Sequence, residues 1–165
     1  AKPYKSWIPE VLQRDNLVVL RTFSKWGGLA GLRLGYGVFP RFLAGEMMKI
    51  KPPYNVSVTA SEAGLGALED IRLLHKRTGL IIQERERLMK GLERLNFLEP
   101  YPSWSNFILC KVTVGDARRL KENLMQRGIL IRYFKKPGLE DHVRFSVGKP
   151  KDTDRLLRAL EELGP

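Results

Sequence analysis

The sequence predicts an α/β chain, and three observations carry this. Short apolar runs of strand length, such as Leu17 to Leu20 and Asn106 to Val114, alternate with helical stripes. The longest stripe sets Ile81, Leu88, Leu92 and Leu95 on one side of a segment from about Asp70 to Leu95. Proline and glycine separate the segments at Pro40, Pro52-Pro53, Gly128 and Pro150.

Taken in order, Leu17 to Leu20 is continuously apolar, as in a parallel strand covered on both faces. Leu34 to Phe39 is the next strand, stopped by Pro40, and Phe42 to Ile50 is a short helix. Lys51-Pro52-Pro53-Tyr54 forces extended backbone. Ser57 to Leu68 is a helix of small residues suited to close packing, and the long helix follows it. After the strand to Val114, Asp116 caps a helix with Ala117, Leu120 and Leu124 inward, and Gly128 ends it. Ile129 to Phe134 and His142 to Val147 are strands. Pro150 opens the last helix, with Asp152 and Asp154 near its positive end and Leu156, Leu157, Leu160 and Leu163 inward. Lys149 stands where a capping hydroxyl is usual.

With 43% hydrophobic and 28% charged residues, the chain reads as an ordinary globular protein large enough to bury a core. The formal charge of +11 would attract nucleic acid or an anionic membrane. Its bases are instead interspersed with acids, as Arg85, Arg87, Lys90 and Arg94 are with Glu84, Glu86 and Glu93, which describes a solvated helix face. Neither nucleic acid nor membrane is therefore an expected partner. Cys110, the one cysteine, excludes an internal disulfide, fits a reducing cytoplasm, and reads as apolar filler without a base to activate it. His75 and His142 lack the spacing of a zinc site, so no metal is expected.

Chemistry concentrates at Thr22-Phe23-Ser24-Lys25-Trp26-Gly27-Gly28-Leu29-Ala30-Gly31-Leu32-Arg33. A strand ends in hydroxyls, then come a lysine, a glycine-rich loop and an arginine. A lysine amine that forms an imine must spend time uncharged, which a neighbouring cation or partial desolvation favours. Arg33 offers a planar fork for phosphate, and Ser24 and Thr22 add short hydroxyl donors. Gly27, Gly28 and Gly31 let backbone approach a bulky ligand and permit positive φ. Taken singly, a loop lysine is usually just solvated and loop glycines are common. The spacing of the whole set points to a phosphorylated aldehyde.

This stretch resembles the lysine segment of pyridoxal-phosphate enzymes of the aspartate-aminotransferase fold, and more narrowly of the histidinol-phosphate aminotransferase family. By that resemblance Lys25 is the catalytic, imine-forming lysine, and Ser24, Arg33 and Thr22 bind the phosphate of pyridoxal 5'-phosphate. A second segment agrees: Arg132-Tyr133-Phe134, then Lys136-Pro137-Gly138-Leu139-Glu140-Asp141, then His142-Val143-Arg144-Phe145. It is similar to the family's small-domain hairpin, whose two arginines hold the substrate anion and map to Arg132 and Arg144. Arg144 also alternates with Val143, Phe145 and Val147, the pattern of a half-buried strand. Ser105-Asn106-Phe107 resembles a segment in which the asparagine, here Asn106, lies near the substrate, although an asparagine before a strand is often a turn former.

The resemblance implies the C-terminal part of a fold type I large domain (residues 1–74) followed by an α+β small domain (residues 75–165). The family is roughly twice this long, a size typical of two-domain chains. This chain has no initiating methionine and starts just before the lysine strand, so it reads as the C-terminal half of a longer enzyme, inactive alone. The implied reaction moves an amino group between histidinol phosphate and 2-oxoglutarate (or glutamate) in histidine biosynthesis, by a cytoplasmic homodimer. The alternatives are an aromatic aminotransferase or phosphothreonine decarboxylase of the same fold, a non-catalytic basic binding module, or an inert fragment.

Overall fold

The computed structural model describes residues 5–164, which divide into two compact units with the boundary between His75 and Lys76. In the first, a 3-10 segment Ile8–Gln13 precedes an antiparallel hairpin of β1 (Val19–Thr22) and β2 (Gly35–Val38). Helices α1 (Arg41–Ile50) and α2 (Val58–Glu69) follow. The Ser57 hydroxyl caps α2 by accepting the Ala60 N–H at 3.1 Å. The small residues of α2 do allow close packing: a Cβ on Gly64 would stand 2.6 Å from the Leu34 side chain. Leu34 thus seats against α2 directly after Arg33.

The expectation of a buried parallel strand over Leu17 to Leu20 is corrected here. β1 runs antiparallel to β2, its sole neighbour among the described residues, and Leu20 is 72% exposed. A continuous apolar run reports a strand that something covers on both faces. It does not say that the covering layers lie within the same segment of chain.

The second unit contains most of α3 (Ile71–Leu92), a four-stranded sheet, α4 (Ala117–Gln126) and α5 (Pro150–Leu163). The strands are β3 (Leu98–Pro100), β4 (Phe107–Val112), β5 (Arg132–Tyr133) and β6 (His142–Ser146), in the order β3-β4-β6-β5. Every neighbouring pair is antiparallel, so β4 and β5 run parallel with β6 between them. Pro100 sits on edge strand β3, where its missing N–H breaks no central ladder. With three residues, one of them proline, β3 carries no strand pattern that would set it apart from a loop in the sequence.

One face of this sheet is core. Ile108, Cys110 and Val112 of β4 and Val143 and Phe145 of β6 meet Leu88 and Leu92 of α3, Leu120 and Leu124 of α4, and Leu156 and Leu160 of α5. Ile81, expected on the α3 stripe, is 39% exposed, and α3 ends at Leu92 rather than Leu95. Burial lifts the Cys110 thiol to about 12, which suits filler and not a nucleophile. At α5 the cap that Lys149 lacks comes from Asp152, whose carboxylate accepts the Lys149 backbone N–H at 3.0 Å.

The buried Glu84 joins α3 to α5 through Arg87. The Arg87 guanidinium donates to Glu84 Oε1 at 2.7 Å, to Asp154 Oδ1 at 2.6 Å and to the Pro150 carbonyl at 2.8 Å. The hydrogen bond from Arg87 lowers the Glu84 pKa below its ordinary 4.5, against the opposing effect of burial. A carboxyl depressed in the folded state stabilises the fold above its unfolded value and loses that contribution as pH falls through the folded value. Acid unfolding monitored by circular dichroism is therefore expected to steepen below pH 4.5 in the wild type and to flatten there in Glu84→Gln. Identical acid limbs would remove Glu84 from the titrating groups.

Among the described residues no helix is long and apolar enough to cross a membrane, and no group of three His, Cys, Asp or Glu could hold a metal.

Candidate active site

The Lys25 loop is built on the β1–β2 hairpin. The Phe23 N–H donates to the Leu34 carbonyl at 3.1 Å, closing the neck beyond the Thr22–Gly35 pair. Phe23 then turns inward and is buried against Trp26 (centroids 5.1 Å) and Tyr36 (6.0 Å). With Phe23 anchored, the next side chains face outward: Ser24 is half-buried and Lys25 exposed. Backbone bonds from Gly28 to Lys25 O (3.1 Å) and from Leu29 to Phe23 O (3.2 Å) fix the turn after the lysine.

Thr22 and Ser24 come together. The Thr22 hydroxyl donates to Ser24 Oγ at 2.8 Å, while the Ser24 N–H donates to Thr22 Oγ1 at 3.0 Å. Arg33 is exposed, and its Nη1 donates to the Ala30 carbonyl at 3.0 Å, closing the arginine back over its own loop. Two hydroxyls, an amine and a guanidinium thus share one hairpin loop. This donor set fits a phosphorylated aldehyde: hydroxyls and guanidinium suit phosphate oxygens, and a primary amine suits condensation with a carbonyl.

The glycine expectation needs correction. Of Gly27, Gly28 and Gly31, only Gly28 takes positive φ (70°), and a Cβ at Gly31 would meet nothing within 4 Å. The strained position is Arg33 itself, at φ 53°, the sole non-glycine residue with positive φ among those described. An arginine held left-handed costs free energy that the surrounding fold must supply, and such residues cluster at functional sites. Sequence reasoning could not see this, since arginine carries no conformational signature.

A second cluster lies in the other unit. Arg132 of β5 and Arg144 of β6 are direct cross-strand partners, so their side chains leave the same face of the sheet, opposite the core. Arg144 is half-buried, its Nε fully enclosed without a hydrogen-bond partner, and Arg132 is exposed. Neither guanidinium has a carboxylate partner among the described residues. Asn106, exposed, precedes β4, and its carbonyl accepts the Val147 N–H at 2.9 Å. Arg85 of α3 braces this approach by donating to the Ser105 carbonyl at 3.4 Å.

Two features here went unread in the sequence. Phe107 lies under the Arg144 guanidinium, 4.9 Å from Cζ to the ring centroid, and Phe134 lies under Arg132 at 5.6 Å. Their adjacency to Asn106 and Tyr133 was the available signal. On the same face the buried His142 places Nε2 3.0 Å from the Tyr101 hydroxyl and Nδ1 2.5 Å from Asp141 Oδ1. His75 is exposed on α3.

The chain is similar to known proteins in sequence and in fold. Residues 1–160 match the family model for aminotransferase class I and II. The chain is 50% identical over 152 residues to the chloroplastic histidinol-phosphate aminotransferase of Nicotiana tabacum, covering 92% of this chain and 37% of that one. Its fold superposes with a TM-score of 0.86 on the histidinol-phosphate aminotransferase of Clostridium acetobutylicum, at 26% identity, over 98% of this chain and 50% of that one. The histidinol-phosphate aminotransferase of Sinorhizobium meliloti, solved in complex with pyridoxal-5'-phosphate, gives 0.77 at 29% identity, over 95% of this chain and 44% of that one. The chain therefore spans half or less of the length of these relatives, and it belongs to the class I and II aminotransferases, as a segment of their fold type I α/β architecture.

Proposed function

We propose that the full-length protein containing this chain is a pyridoxal-phosphate-dependent histidinol-phosphate aminotransferase, with 2-oxoglutarate as amino acceptor, acting in histidine biosynthesis. The observation that carries the reading is 50% identity to the tobacco enzyme across nearly the whole chain. The cross-strand Arg132–Arg144 pair supports it, because two unpaired guanidiniums on one sheet face suit a phosphate ester or a dicarboxylate.

In this reading residues 1–74 belong to the large domain and residues 75–165 form the small domain. Ser24, Thr22 and Arg33 hold the cofactor phosphate. When bound, the cofactor supplies an electron sink for charge developing at the substrate Cα. With the cofactor bound, Lys25 Nζ would hold it at its carbonyl carbon, and the Lys25 amine would move the substrate Cα proton, first as general base and then as general acid. Arg144 and Arg132 hold the substrate anion, and Asn106 lines the approach. Arg33, Arg132 and Arg144 supply planar donor forks for anions, and Lys25 is the residue placed for proton transfer. The protein acts as a homodimer in a reducing compartment, which the buried lone thiol suits; the cytoplasm is our assignment.

Histidinol phosphate, phenylalanine and phosphothreonine offered in turn as amine substrates to the full-length protein test the substrate. We expect kcat/KM for histidinol phosphate to exceed that for phenylalanine by at least about 100-fold, because an unfilled arginine clamp penalises the neutral side chain. A preference for phenylalanine, or release of carbon dioxide from phosphothreonine, would replace this reading with a related enzyme of the same fold.

A further inference from the structure

Like charges directly opposite on antiparallel strands repel. Arg132 and Arg144 are such a pair, and no carboxylate among the described residues holds either one. Two long cationic side chains in this position would splay into solvent unless something fixed them. Each instead lies over an aromatic ring, Arg144 on Phe107 and Arg132 on Phe134. The negative face of a ring attracts a guanidinium within about 6 Å, more strongly where water is excluded. Stacking engages the flat face of the guanidinium and leaves its N–H edge free to donate. The geometry at Arg144 goes further: its Nε is enclosed with no acceptor, and a buried donor left unsatisfied is costly. An anion arriving at the edge would find a preoriented donor set with little ordering left to do.

We propose that Phe107 and Phe134 are positioning residues that hold the two guanidinium planes against their mutual repulsion, so that one phosphate monoester is gripped by both arginines. The inference rests on the anion-binding reading of Arg132 and Arg144 and adds two residues to it. Phe107 enters from β4, the neighbour of β6, and Phe134 follows β5 directly, so each arginine has its own shelf. The shelf is specific to an aromatic side chain. Leucine would fill similar space and keep the packing, but it has no quadrupole to hold a cation.

Inorganic phosphate titrated into the full chain, followed by nitrogen-15 NMR of the arginine Nε–H and β5–β6 amide signals, tests this locally. Phe107→Leu is expected to weaken phosphate binding about 2- to 30-fold and to remove the ring-current shift of the Arg144 Nε–H. Phe107→Tyr should stay within about 2-fold of wild type, since the ring face is kept. Wild-type affinity in Phe107→Leu, with binding lost in Arg144→Ala, would overturn the aromatic shelf while leaving the arginine site standing. Wild-type affinity in Arg144→Ala as well would overturn the anion site and the shelf together. Phe134→Leu, outside the paired strands, decides the question should Phe107→Leu not fold: unchanged affinity there overturns the proposal.

Discussion

Full-length protein carrying Lys25→Ala is expected to lose borohydride-trappable attachment of pyridoxal phosphate at the 23–34 loop. Turnover should fall by at least about 10²–10⁴-fold, the contribution of a positioned proton-transfer group alone. The loop offers no second amine, because Arg33 is its other cation and a guanidinium neither condenses readily with an aldehyde nor gives up its proton. The fold itself should be untouched. Lys25 is exposed, and its side chain makes no hydrogen bond or ion pair within the described residues. Far-ultraviolet circular dichroism and the melting temperature should therefore match wild type. Peptide mapping after reduction gives the readout: label at Lys25 in the wild type and none there in the variant. Wild-type turnover in Lys25→Ala would end the assignment of this loop as the catalytic one.

The largest effect on stability is expected at Phe145. Its ring is fully buried in the core of the second unit, on β6, one of the two interior strands, which meets β4 at its side and helix α4 over the core face. Phe145→Ala removes a large apolar side chain from a site whose walls come from separate helices and strands, so collapse around the cavity is limited. The expected cost is about 3–5 kcal/mol in urea unfolding of the full chain. Because Arg144 is the preceding residue on the same strand, the variant should also blur the arginine site. The conservative Phe145→Leu should lose much less and keep phosphate binding. A cost below about 1 kcal/mol for Phe145→Ala would mean that the core is not closed around this ring.

These two residues also show how differently a site and a core are written into a chain. Lys25, Ser24, Thr22 and Arg33 were legible because they are close in sequence and their residue types carry the chemistry directly. Arg132 and Arg144 were legible only through resemblance. Twelve positions apart on non-consecutive backbone, they become neighbours solely because β5 pairs with β6. Phe107 and Phe134 fall inside the segments that carry the resemblance, but their part is not legible there, since nothing local distinguishes an aromatic shelf from a core ring. The left-handed Arg33 was invisible, because backbone strain belongs to the loop that imposes it.

By itself the sequence determined the alternation of strands and helices, the helix beginning near Ser57, the capped helix start at Asp116, and the core positions Leu88, Leu120, Leu124, Leu156 and Leu160. These are set by period and local hydrogen bonding, which act within a few residues. Tertiary structure alone decided that Leu20 is exposed on an antiparallel hairpin, that Ile81 leaves the α3 stripe, and that two arginines share one face over two rings. Burial and charge proximity depend on which distant segments cover or adjoin a residue, and pairing across the sheet, not spacing along the chain, sets that.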